Sequence, residues 1–289
     1  MSKKPPNRFK LFIYKLANGY SILPMQLTCN ITNPCNRRCK FCPNHAPGII
    51  EDDYQRWWKA QPDFMDYKKF DGFLKRMGFF RWFIRQMSFT GRGETLLHPD
   101  ILKFVKLADK YKIRCHITTN GDRLTKELEY ELSKFKYLHF VRVSLFDPER
   151  AKCWLQRKKD SPIRIEIQNV TNQHIDGIED GFISINNPGT EQHCTMPKNF
   201  VEEKHCTAPF SFNTLNTDGS LVTCITFYEV GNVFEQPFWK IWNGKKIRWI
   251  RKQGLKMAIP ENLALCKDCG NFYRYDKYKK KNKYVNKPS

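Results

Sequence analysis

Nothing in this chain narrows its fold more than the run Cys35-Asn-Arg-Arg-Cys39-Lys-Phe-Cys42, three thiols within one short loop. At these spacings they can grip three corners of a cubic iron–sulfur cluster, whereas such clusters ordinarily take four cysteine ligands. One iron is then left without a protein ligand. An open coordination position marks a catalytic rather than a structural metal site, because a second molecule can bind there. The competing reading is a zinc knuckle, yet zinc ligands usually come as two separated Cys-x(2–4)-Cys or His pairs.

The loop is delivered by an apolar run, Leu23–Asn30, that reads as a strand. Similar runs recur at Phe83–Thr90, Lys112–Thr118, His139–Leu145, Ile163–Gln168 and Phe182–Asn186. Between them lie helical patterns: Phe70, Phe73, Leu74 and Met77; then Ile101, Phe104, Val105 and Ala108 after Pro99; then Leu124, Leu128 and Leu132. Alternating strand and helix signals argue for an α/β fold with a parallel sheet. Six such steps predict an open, partial (β/α)6 TIM-like barrel. Parallel barrels carry their sites at the carboxyl ends of the strands, where the βα loops converge. The candidate motifs fall at such ends.

With the aromatic Phe41 before its last cysteine, the first loop resembles the signature loop of the radical S-adenosylmethionine (SAM) superfamily. The resemblance covers roughly residues 24 to 270. It implies a 4Fe-4S cluster on Cys35, Cys39 and Cys42, with Phe41 beside the cofactor. The open iron would chelate the amino and carboxylate groups of SAM and pass it an electron, releasing a 5′-deoxyadenosyl radical. Gly91-Arg92-Gly93-Glu94 resembles the family's Gly-Gly-Glu element, with Arg92 replacing the first glycine of the pair and Thr95 where proline is common. There Gly93 would let the backbone approach SAM, and Glu94 would accept from its ammonium. Thr119-Asn120-Gly121 resembles the Thr-Asn-Gly element near the ribose and methionine of SAM, although Asn-Gly is also an ordinary turn dipeptide. Ser144 matches a strand-four serine that contacts SAM in relatives. Gln168 and Asn186 are candidates by strand-end position alone.

Past residue 190 the alternation stops and a second cysteine set begins: Cys206, Gly219, Cys224 and Cys266-Lys-Asp-Cys269. A hairpin followed by a Cys-x-x-Cys pair could gather four thiolates, which suits either an iron–sulfur cluster or zinc. The stretch Cys-x12-Gly-x4-Cys resembles the opening of SPASM domains, shortened to the twitch form found in carbohydrate-modifying members. That implies an auxiliary 4Fe-4S cluster on Cys206, Cys224, Cys266 and Cys269. With no free iron to hold substrate, its role would be electron transfer or support. The expected layout is an extension at 1–23, a radical SAM barrel at 24–195, a twitch/SPASM-like domain at 196–273 and a basic tail at 274–289.

Electron transfer to a second cluster suits dehydrogenation of an alcohol to a ketone. Epimerisation would instead need a thiol to return a hydrogen atom. Of the spare cysteines, Cys29, Cys115 and Cys153 read as small buried hydrophobes, whereas Cys194, in a polar segment between the cluster regions, is the catalytic candidate.

A net charge of +21, from 50 Lys+Arg against 29 Asp+Glu, attracts phosphorylated or acidic partners. The 23 residues before the first strand are too few for a peptide-leader domain, which favours a small substrate, sugar- or cyclitol-like, over a peptide. A flavodoxin- or ferredoxin-type protein would supply the electron. Two zinc sites with a Lys-rich tail binding RNA form the reading from another class, but no nucleic-acid motif is evident. No run of 18 apolar residues and no signal peptide appear, so a cytoplasmic location without a membrane span is expected. Trp57-Trp58 could form a lid over the barrel mouth.

Overall fold

The computed structural model describes residues 20–21, 25–39, 42, 44–49, 53–170, 178–180, 208–210, 212–223 and 228–256. Its strands are β1 Met25–Cys29, β2 Ile84–Phe89, β3 Cys115–Thr119, β4 Leu138–Leu145, β5 Ile165–Asn169, β6 Glu179–Asp180, β7 Phe212–Leu215, β8 Ser220–Thr223 and β9 Glu229–Asn232. They join one sheet in the order β6-β5-β4-β3-β2-β1-β7-β8-β9. Each neighbouring pair from β1 to β6 is parallel, as six βα steps require. The helices are α1 Asp53–Lys59, α2 Tyr67–Arg76, α3 Ile101–Lys110, α4 Lys126–Ser133, α5 Ala151–Asp160, α6 Phe238–Trp242 and α7 Lys245–Lys256.

Side chains alternate across the strands from β1 to β5, and the face that the helices cover is apolar except for Thr119 and Asn169 at the strand ends. Leu27, Cys29, Met87, Phe89, Cys115, Ile117, Val141, Val143, Leu145, Ile165 and Ile167 are all buried there. Against them pack Phe70, Phe73 and Leu74 of α2, and Ile101, Phe104, Val105 and Ala108 of α3. Asp66 caps α2 by accepting from the Lys69 N–H at 2.8 Å, and Thr125 caps α4 from the Leu128 N–H at 3.2 Å.

The opposite face carries Thr28, Ser88, His116, Thr118, Arg142, Ser144, Glu166 and Gln168, all half-buried. Parallel strands packed on both faces read as continuous apolar runs. A polar second face is therefore a lumen wall rather than a packed layer.

β3 starts three residues later than the apolar run from Lys112. The chain first closes α3: the Lys112 N–H donates to Asp109 O at 3.0 Å and the Ile113 N–H to Ala108 O at 2.9 Å, with Lys112 at φ 56°. This is a Schellman turn with lysine in the left-handed position that glycine commonly fills. The sixth strand is recorded at Glu179–Asp180, while Phe182–Asn186 lies outside the described residues.

After the barrel the chain returns to the same sheet. β7 runs parallel to β1, pairing Leu27 with Asn213 and Cys29 with Leu215, and the β7–β8 hairpin and β9 extend the sheet antiparallel. The fully buried Arg251 of α7 secures this extension by donating to Pro209 O and Trp242 O, both at 2.9 Å. Nothing in the sequence pattern pointed to β1 as the strand β7 would join.

One cysteine departs from expectation. Cys153 is exposed, because α5 turns Ala151 and Trp154 inward and leaves the intervening position toward solvent. Cys29 and Cys115 are buried as expected, and burial pushes both thiols up, Cys115 to about 12. Such thiols are inert.

Candidate functional site

The cysteine loop leaves the end of β1 and is fixed by hydrogen bonds. Asn30 Oδ1 accepts from the Arg92 N–H at 2.9 Å, and Asn30 Nδ2 donates to Asn33 Oδ1 at 2.9 Å. Asn33 Nδ2 donates to Pro62 O at 2.9 Å and to Thr217 Oγ1 at 3.0 Å, reaching the β7–β8 turn. The ring of His45 lies 3.0 Å from Asn33 O through Nε2 and meets Trp58 edge to face at 5.4 Å. Trp58 is buried, and the Trp57 ring lies 5.0 Å from the Arg92 guanidinium carbon. The two tryptophans of α1 are thus packed onto the loop and the Gly-Arg-Gly-Glu turn, not free to act as a flap.

Cys35, Cys39 and Cys42 are all half-buried. The Arg37 N–H points at Cys35 Sγ at 3.4 Å, and the Asn44 and His45 N–H groups point at Cys42 Sγ at 3.4 and 3.3 Å. Burial pushes the Cys35 and Cys39 thiols up, and the thiolates repel one another. Three half-buried thiols on one loop, two of them with backbone N–H groups aimed at sulfur, are a donor set that fits a cubic cluster, whose properties depend on hydrogen bonds to sulfur. Among the described residues no three His, Cys, Asp or Glu side chains gather closely enough for a single metal ion.

Glu94 is the centre of a brace that ties this loop to β2 and β3. It is 3% exposed. Its Oε1 accepts from Thr119 Oγ1 at 2.5 Å and the Leu96 N–H at 3.0 Å, and its Oε2 from the Asn120 N–H at 2.7 Å. Burial raises its carboxyl above the usual range, and these three donors pull it back toward the ionised form. Both oxygens are engaged within the protein, which makes Glu94 a cross-link rather than an exposed acceptor. A Cβ on Gly93 would lie 2.2 Å from Pro34 O and 2.5 Å from Asn33 O, so the glycine is required first by the cysteine loop. Gly121, at φ +83°, turns the chain after Thr119 and Asn120 beneath Trp154, which a Cβ would strike at 2.4 Å.

Residues unnoticed in the sequence complete the brace. Asn36 Oδ1 accepts from Asn120 Nδ2 at 2.8 Å, while Arg37 grips Asp122 with Nε at 2.6 Å and Nη2 at 2.5 Å. Arg150 joins the same carboxylate at 2.9 Å. The Arg37 bond, then Arg150, holds Asp122 at about 2. Their positions, between the cysteines and just after Thr-Asn-Gly, were the available signal. Arg92 is buried, donating to Asn216 Oδ1 at 2.9 Å and Gln61 Oε1 at 3.4 Å. It occupies the usual glycine position because it bridges to the C-terminal hairpin.

Ser144 and Gln168 face each other across β4 and β5 on the lumen wall. On that wall Thr28, Thr118, Ser144 and Gln168 make no side-chain hydrogen bond among the described residues. His116 lies 2.6 Å from Ser88 Oγ through Nε2 and 2.6 Å from Gln86 Nε2 through Nδ1. Phe41, Asn186, Cys194, Cys206, Cys224, Cys266 and Cys269 lie outside the described residues, though β8 ends at Thr223, next in sequence to Cys224.

Two family descriptions match the chain over complementary stretches. The Radical SAM superfamily matches residues 29–166, and SPASM, an iron-sulfur cluster-binding domain, matches residues 206–270. The chain thus carries a radical SAM domain followed by a SPASM domain. SAM and iron–sulfur clusters are accordingly its cofactors, which decides against two zinc sites in a nucleic-acid-binding protein. The S-adenosyl-L-methionine-dependent 2-deoxy-scyllo-inosamine dehydrogenase of Niallia circulans is 23% identical over 252 residues, 83% of this chain and 90% of that protein. The tungsten-containing aldehyde ferredoxin oxidoreductase cofactor-modifying protein of Pyrococcus furiosus is 31% identical over 110 residues. The matched stretch spans 27% of that protein's length, and 34% of a Thermococcus kodakarensis probable GTP 3′,8-cyclase. A crystal structure of BtrN in complex with AdoMet and 2-DOIA shares the fold at TM-score 0.59 and 20% identity, over 81% of this chain and 88% of that one. Among the described residues of this radical SAM protein, no helix is long and apolar enough to cross a membrane.

Proposed function

We propose that this radical SAM enzyme cleaves SAM at the Cys35–Cys39–Cys42 loop and removes a hydrogen atom from a sugar- or cyclitol-like alcohol, which leaves as the ketone. The observation that carries the reading is the pairing of three half-buried thiols, two of them met by backbone N–H groups, with a polar wall on the strands of the same sheet. When bound, a cubic cluster with one open iron supplies one-electron cleavage of SAM, and a second cluster on Cys206, Cys224, Cys266 and Cys269 an electron acceptor. The chain's own part is positioning. Glu94 fixes the cysteine loop against β3, and Thr119, Asn120 and Ser144 border the place for SAM. The barrel at 24–195 would hold this centre and the segment 196–273 the second cluster.

The dehydrogenase relative, aligned over most of both chains, supports oxidation at a cyclitol-like carbon. A peptide substrate is the second reading, since SuiB bound to its precursor peptide SuiA shares the fold at TM-score 0.53. The deciding experiment is anaerobic purification, iron and sulfide counting, and incubation with SAM and a flavodoxin-type or chemical reductant. About eight irons, from two four-iron clusters, and 5′-deoxyadenosine are expected; zinc in their place and intact SAM would overturn the reading. Undiminished turnover in Cys194→Ala, without solvent deuterium in the product, separates dehydrogenase from epimerase.

A further inference from the structure

The lumen face of β3, β4 and β5 carries a charge cluster that the cysteine loop does not use. Arg142 Nη2 donates to Glu166 Oε2 and Arg164 Nη2 to Glu166 Oε1, both at 2.8 Å. Two guanidiniums on one carboxylate leave a net positive charge. Each guanidinium has five N–H donors, of which this pairing occupies one. Both lie near one aromatic ring: the guanidinium carbons of Arg142 and Arg164 are 4.9 and 5.9 Å from the Phe140 centroid. His116 stacks on the same ring at 4.6 Å and 20°. Burial first, and Arg142 second, hold its imidazole down at about 4, so it adds no charge at neutral pH. Beside this cluster stand Thr118, in register with Arg142, and Ser144, in register with Gln168; among the described residues Thr118, Ser144 and Gln168 make no side-chain hydrogen bond.

A half-buried cation and unused polar groups are costly to hold in a cavity unless a ligand completes them. The planar fork of arginine matches two oxygens side by side, and Arg142, 30% exposed in its side chain, keeps such a fork in reach of the lumen. Resting on the function proposed above, we infer that Arg142, supported by Arg164, binds an oxyanion of the substrate, and that Thr118 and Gln168 take its hydroxyl groups. The alcohol oxidised is then part of a phosphate ester or a hydroxylated acid, not a neutral polyol.

Isothermal titration of the anaerobic holoenzyme with inorganic phosphate and with glucuronate, against chloride at matched ionic strength, tests this and separates phosphoryl from carboxylate recognition. At least one should bind saturably. Binding should weaken about tenfold in Arg142→Gln, as loss of a charged hydrogen-bond donor predicts, and less in Arg164→Gln. The imidazole NMR signal of His116, assigned by its loss in His116→Gln, should move along the same saturation curve. No saturable binding above chloride, or undiminished binding in Arg142→Gln, overturns the inference. Melting temperature and iron content verify that Arg142→Gln folds; if it does not, Arg142→Lys, which keeps charge but loses the fork, must weaken binding. SAM cleaved without anion binding removes only this inference. Anion binding without SAM cleavage removes only the proposed reaction.

Discussion

The brace around Glu94 and the wall around Arg142 both place charge on the strands of one sheet, and they differ in how fully it is satisfied. Each oxygen of Glu94 has a donor within 3.0 Å, drawn from the end of β3 and from the turn that Glu94 itself caps. The wall keeps most of its guanidinium donors and three uncharged polar side chains unengaged. Buried polar groups in a finished structure are hydrogen-bonded. A satisfied network therefore holds the protein's own loops, and an unsatisfied one is shaped for something that arrives later. If this contrast is right, substitutions in the brace should cost stability and those in the wall should cost binding.

The largest effect belongs to what the brace holds. Cys39→Ala should abolish 5′-deoxyadenosine formation, while Cys206→Ala should lose only the auxiliary cluster and its share of the iron; persistent cleavage in Cys39→Ala would refute the ligand assignment. Next comes Glu94→Ala, which strands the Thr119 hydroxyl and the Leu96 and Asn120 N–H groups. Leaving buried donors unpaired costs about 1–3 kcal/mol each, and the losses overlap, so about 3 kcal/mol is expected in urea unfolding. A change near zero would mean that the loop is held by other means. Arg92→Gly, which restores the more usual glycine, should cost about 1–2 kcal/mol by removing the link to Asn216 and the contact with Trp57. If Arg92→Gly were instead stabilising, the tie between barrel and hairpin would have no energetic content.

Much of this was legible in the sequence, and the exceptions have a common cause. Short apolar runs exposed β1 to β5, and helical spacing exposed α2 and α3, because both mark side chains that meet the core. The strand-end motifs were visible because glycine after a strand is conspicuous. Their partners were not. That Glu94 would spend its carboxylate on Thr119 and Asn120 depends on the distance between two strand ends, which no local pattern encodes. The same holds for Arg92 and Asn216, separated by 124 positions and joined only because β7 lies against β1. Arg142 and Glu166 were visible as charges inside apolar strands, a signal that marks a lumen once the face they share is known.

Asp122 tests the exposed margin of the brace. Its carboxylate, 27% exposed, is held at about 2 first by Arg37 and then by Arg150, below the ordinary value of 3.8. A depressed carboxyl contributes stability that is complete above the unfolded-state value and is lost as pH falls through the folded one. Stability should therefore decline between about pH 4 and pH 2 more steeply in the native chain than in Asp122→Asn. Away from that window, solvent screening limits the loss to under about 1 kcal/mol. Identical acid limbs in the two proteins would show that Arg37 is held without this ion pair.

The smallest expected change in stability is the sharpest probe of the wall. Ser144 is half-buried and makes no side-chain hydrogen bond among the described residues, so Ser144→Ala should shift stability by no more than about 0.5 kcal/mol. Turnover should nonetheless fall, because Ser144 stands on the same face of β4 as Arg142, one step nearer the carboxyl end of the strand, and is proposed to border SAM. A destabilisation as large as that of Glu94→Ala would show that Ser144 belongs to the protein's own scaffold. It would also erase the distinction between a network that is complete and one that waits for a ligand.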